Sequence, residues 1–102
     1  MNWKTPQKKQ LVDAVLALQT RQEAQRFLRD LMTETEIIEF ANRLEAASLL
    51  TQNVSYSRIQ KKTGLSATTI ARVSKWLGGT EGGYKTIFSR LHHHNSFFEK
   101  RS

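Results

Sequence analysis

Apolar residues recur along most of this chain at spacings of three and four, the period of helices that each bury one face. Leu11, Val15 and Leu18, flanked by Val12 and Leu16, make the first broad apolar face. Thr5 is placed to cap that helix, and Pro6 suits its first position, where a missing N–H is no loss. Thr20 and Glu23 form a capping-box pattern that opens a second helix with almost no loop before it, and Ala24, Phe27, Leu28 and Leu31 are its expected buried side. Thr33 and Glu36 repeat the box at the head of a long third helix, whose stripe runs through Ile37, Phe40, Ala41, Leu44, Ala47 and then Leu50 or Thr51. After Leu50 a polar TQN step leads to Val54.

From Ser55 to Leu77 the pattern changes to two short helices meeting at Gly64. Glycine there supplies the left-handed backbone position that a tight interhelical turn needs. Ser55 can cap the first helix, whose Tyr56, Ile59 and Thr63 fall at helical spacing, and Leu65 closes the turn. Ser66 is a good cap for the second, where Ile70, Val73 and Leu77 form a narrow apolar stripe. At about 100° per residue, the opposite face carries Thr68, Ala71, Arg72 and Lys75. Short, methyl-bearing and cationic side chains are what a helix entering the major groove requires, because bulk at Thr68 or Ala71 would hold its backbone away from the base edges. The reading is a helix-turn-helix at 55–77. Gly78 and Gly79 end the pair, and Thr80 is the expected cap of a last helix bearing Tyr84, Ile87, Phe88 and Leu91.

Composition fits an all-α fold of about six helices, since the single proline is near the start and four of the five glycines sit together in GGTEGG. With 102 residues the chain is expected to form one helical domain over 1–91, followed by a tail over 92–102. A domain of that size buries a modest core, and dimerisation would enlarge it. No cysteine is present, which excludes a disulfide framework and fits the cytoplasm. The start MNWKTPQKKQ is basic and polar and does not resemble a signal peptide, and no apolar run is long enough to span a bilayer.

A formal charge of +7 calls for a polyanionic partner, and its distribution chooses which. Between Arg21 and Glu45 acids outnumber bases, whereas the span from Val54 to Leu77 holds Arg58, Lys61, Lys62, Arg72 and Lys75 and no Asp or Glu. That concentration points to double-stranded DNA through its phosphates and away from diffuse attraction to a membrane. Other chemistry finds little support. His92, His93 and His94 are sequence neighbours that point different ways on a helix, so no metal site is expected. Glu36, Glu39 and Glu45 have no histidine or lysine partner at fixed spacing, and GGTEGGYKT lacks the GK[ST] ending of a phosphate loop, so no enzyme is expected.

LMTETE (31–36), ANRLEAASLL (41–50) and SYSRIQKKTGLSATTIARVSKWLGG (55–79) resemble the bacterial tryptophan repressor superfamily, most of all its repressor-like YerC/YecD branch. The resemblance covers about residues 11 to 91, and TGLSATTIARV is its strongest motif. It implies an intertwined homodimer, in which the N-terminal helices of both chains share a core and the two helix pairs project as DNA-reading heads. It also implies that Ser57, Gln60, Ala67, Thr68 and Ala71 face operator bases. Ser66 and Thr69, at the start of the reading helix, are counted with these contacts, alongside the basic Arg58, Lys61, Lys62, Arg72 and Lys75.

An effector slot is implied as well, flanked by Arg43 and Arg72, with Thr33 matching the threonine at the start of the long helix. Here the chain departs from the repressor pattern. Val73 and Trp76 stand where the resemblance calls for small residues that leave room for an indole and hold an amino group. L-tryptophan is therefore not expected as corepressor, no other cofactor is expected, and the effector is unknown. The function expected is sequence-specific transcriptional regulation, of the repressor kind. The competing reading is a helix-turn-helix module in replication initiation or a mobile element, which an adjacent ATPase or nuclease gene would favour.

Overall fold

The computed structural model describes residues 1–91, all of them helix or short connection. The helices are α1 (Pro6–Ala17), α2 (Arg21–Leu31), α3 (Glu34–Thr51), α4 (Tyr56–Thr63), α5 (Ala67–Leu77) and α6 (83–91). By internal contacts the chain divides into two compact units, Met1–Ile37 and Ile38–Ser102, with the boundary inside α3. His92, His93, His94 and the rest of the expected tail lie outside the described residues.

In the first unit the helix starts are set by local side-chain chemistry. Thr5 accepts from the Lys8 amide, and Pro6 takes the first turn of α1. Thr20 accepts from the Glu23 amide at 3.1 Å, but the Glu23 carboxylate reaches back to the Gln19 amide and not to that of Thr20, so the box is displaced by one residue. At α3 the box closes in full. The Glu36 amide donates to Thr33 Oγ1 at 3.1 Å, and the Thr33 amide donates to Glu36 Oε1 at 2.9 Å. The bond from the Thr33 amide, and a further one from the Thr33 hydroxyl to the same Oε1, favour the carboxylate and hold the Glu36 carboxyl below its ordinary range, the backbone bond contributing most.

None of the residues of α1 or α2 is buried. Leu11, Val12, Val15, Leu16, Leu28 and Leu31 are all exposed, Leu16 at 76%. Much of the apolar face of each helix is therefore open in the single chain. So much apolar surface on neighbouring helices is far from the scattered exposure usual for a monomer.

The second unit holds the core. Ala46, Leu49, Ile59 and Ile70 pack as one cluster, with Leu50, Val54 and Leu65 partly buried against it. Ile70 and Val73 are fully buried on α5, as their stripe predicts, while Leu77 is partly exposed. On α3 the single chain covers only part of the apolar stripe. Phe40, Ala41 and Leu44 are exposed, and the buried residues are Ala46, Ala47 and Leu49, of which only Ala47 belongs to the expected stripe. The core covers the C-terminal part of α3, and there it meets the side that bears Ala46 and Leu49. A correction concerns Thr80, which caps nothing. α6 begins later, after Gly82 at φ 70°, whose carbonyl accepts from the Thr86 amide. Within α6 the Tyr84 and Phe88 rings stack at 5.9 Å.

Candidate nucleic-acid interface

α4, α5 and their connection build the candidate site. Ser55 caps α4 through the Arg58 amide, and Ser66 caps α5 through the Thr69 amide at 3.1 Å. Between them Gly64 takes φ 75°, and its amide donates to the Gln60 carbonyl at 2.8 Å, which ends α4. α4 and α5 then pack through their inner faces, closing over Ile59, Thr63, Ile70 and Val73.

With those four turned inward, the outward positions are fixed. On α4, Ser57, Arg58, Gln60, Lys61 and Lys62 are all exposed. On α5, Ala67, Thr68, Ala71, Arg72 and Lys75 are exposed, as is the cap Ser66. Thr69 is half-buried, its Oγ1 bonded to the Ser66 hydroxyl at 3.0 Å, so it serves the cap and presents less of itself outward. Arg58, Lys61 and Lys62 line one shallow recess together with Leu49, Gln52 and Val54. The neighbours from the end of α3 and the following turn were not legible as site residues, because nothing local in the sequence links 49–54 to α4.

Glu45 was missed in the same way. Its Oε1 lies 3.7 Å from Lys62 Nζ, placing one carboxylate beside the basic cluster from a helix seventeen positions earlier. Both side chains are well exposed, so the pair contributes little to stability, and a phosphate can take the place of Glu45.

The residues of the implied effector slot have distinct settings. Thr33 is part of the α3 cap in the first unit. Arg43 in the second unit donates from Nη2 to Glu39 Oε1 at 3.2 Å, and its guanidinium lies 5.3 Å from the centre of the Phe40 ring. Its Nε is buried without a hydrogen-bond partner. Arg72 is exposed, Val73 is wholly buried, and Trp76, one turn beyond Arg72, is 48% exposed. Among the described residues no group of His, Asp and Glu is arranged to hold a metal ion, and no helix is long and apolar enough to cross a membrane.

Comparison with known proteins agrees with this geometry. The uncharacterised Bacillus subtilis protein YerC is 37% identical over 82 residues, spanning 80% of this chain and 79% of its own. A TrpR-like protein from Eubacterium eligens superposes with a TM-score of 0.82 at 38% identity, covering 88% of this chain and 93% of that one. A second solved structure, from Staphylococcus aureus, gives a TM-score of 0.82 at 32% identity, covering 90% and 95%. The model of the Trp repressor protein family matches residues 6–92, nearly the whole described chain. With six helices among the described residues, a capped helix pair and a match of that extent, the chain belongs to the Trp repressor family, a family of DNA-binding regulators.

Proposed function

We propose that this protein is a sequence-specific, DNA-binding transcriptional repressor that acts as a homodimer in the cytoplasm. α5 enters the major groove, and the basic side chains of α4 and α5 hold the flanking phosphates. One observation carries this reading. The outward face of α5 presents Ala67, Thr68 and Ala71, small enough for close approach to base edges, and it is bordered by Arg72 and Lys75 with Arg58, Lys61 and Lys62 nearby in sequence on α4. No acid lies between residues 54 and 77 to repel a phosphate. Two heads, each offering Arg58, Lys61, Lys62 and Lys75, would neutralise about 6 to 8 phosphates, so log affinity should fall against log salt with a slope of about −5 to −7. A slope near zero in a salt titration of duplex binding would reject the interface.

The homodimer draws support from the open apolar faces of α1 and α2, which need a cover that the chain does not supply. The same reading holds that L-tryptophan is not the corepressor, on a steric argument. Val73 is fixed in the core, and its β-branched side chain has few rotamers with which to make room. Overfilling a packed site costs about 1 to 3 kcal/mol, tenfold to more than a hundredfold in affinity for a small ligand. Trp76 adds bulk one turn on, where the resemblance calls for a small residue. DNA binding is then constitutive or answers to another effector. Calorimetric titration of L-tryptophan, with and without DNA, should show no micromolar binding. A micromolar dissociation constant with a matching gain in DNA affinity would overturn this part.

A further inference from the structure

We propose that the Thr63 hydroxyl is the clip that fixes the direction of α5 against α4, which makes Thr63 a positioning residue for the outward face of α5. Its consequence for DNA rests on the function proposed above. The reason lies in how α4 ends. Gly64 closes the helix with one bond from its amide to the Gln60 carbonyl, and that arrangement leaves the next amide, Leu65, without a helical acceptor. Thr63 Oγ1 accepts from the Leu65 amide at 3.2 Å and donates to the Ile59 carbonyl at 2.8 Å. The hydroxyl thus ties the turn back to the helix it has just left. Thr63 is buried, at 8% exposure, so water competes poorly for either bond.

Leu65 directly precedes Ser66, the cap of α5, and its side chain packs against the cluster of Ala46, Leu49, Ile59 and Ile70. With its amide held by Thr63 and its side chain held by the core, the Leu65 peptide has one orientation, and the helix capped by the next residue inherits it. Valine at 63 would keep the shape and remove the oxygen. The Leu65 amide would then be orphaned in a partly buried turn, a cost the backbone relieves by rotating that peptide toward water. Thr68, Ala71 and Arg72 would turn with it. None of this disturbs the outward cations of α4.

The test compares full-length wild type, Thr63→Val and Thr63→Ser. Amide exchange in the wild type should show Leu65 protected although it lies between helices, and a rapidly exchanging Leu65 amide overturns the proposal without any variant. Residual dipolar couplings should place α5 at a changed angle to α4 in Thr63→Val and at the wild-type angle in Thr63→Ser. An unchanged angle in Thr63→Val, or the same change in both variants, overturns it. On DNA, the ratio of affinities for the sequence preferred by wild type and for a random duplex at equal salt should drop about tenfold in Thr63→Val, the random-duplex affinity falling much less because Arg58, Lys61 and Lys62 of α4 stay in place. A changed angle with an unchanged ratio also overturns it. Should wild type itself bind DNA without preference, the proposed function fails, while the couplings and the exchange still decide the clip.

Discussion

At Gly64 the backbone stands at φ 75° with nothing within 4 Å of where a Cβ would be, so a side chain there meets strain and no clash. Gly64→Ala should therefore destabilise the fold by about 1 kcal/mol, the ordinary cost of the left-handed region for a residue with a Cβ, and Gly64→Asn should recover part of the loss. Urea denaturation of the three proteins measures both. Glu36 gives a prediction in pH. Its folded carboxyl is held low by the Thr33 amide and hydroxyl, so the stability it adds is present above the unfolded carboxylate range and is lost as pH falls through the folded value. Glu36→Gln should melt below wild type at neutral pH, and the gap should close on acidification through the carboxylate range. A gap that stayed constant or widened toward acid would show that the box does not depend on the charge.

Among the helices, α5 reads and α4 holds. Thr68→Ala should change which bases are preferred, at about 1 kcal/mol or more, while Lys61→Ala should weaken all sequences alike and lower the salt slope. Titrating both variants against a panel of single-base changes separates the roles, and uniform weakening by both would remove Thr68 as a base reader. The starts of the first five helices were legible in the sequence because caps are local: Thr5, Thr20, Thr33, Ser55 and Ser66 each bond an amide three residues on. The outward face of α5 was legible too, since Ile70 and Val73 fix the inward one. The buried side of α3 was not, because it depends on which part of that helix the core covers, and periodicity admits the Phe40–Leu44 side as readily as the Ala46–Leu49 side. Glu45 beside Lys62 was illegible for a related reason, as it joins two elements whose packing no local pattern encodes. Thr63 was read as an apolar-face residue by spacing, and its hydroxyl acquires a use only once Gly64 leaves the Leu65 amide unpaired.

For the molecule as a whole, the two units differ in what they bury: the second has a core of fully buried side chains, and the first has no buried residue in either of its complete helices. A chain of that kind should gain stability by association, so its melting temperature should rise with protein concentration and sedimentation should find a dimer at micromolar concentration. A well-folded monomer with a concentration-independent midpoint would reject the shared core. The central claim is that the face of α5 selects DNA sequence, and selection from a random duplex pool by the purified chain at fixed salt tests it most directly. Selection should enrich sites with two related halves, one for each head, bound more tightly than the starting pool, and the preference should shift in Thr68→Ala. A pool that emerges unenriched and is bound no more tightly than random duplex would contradict the claim.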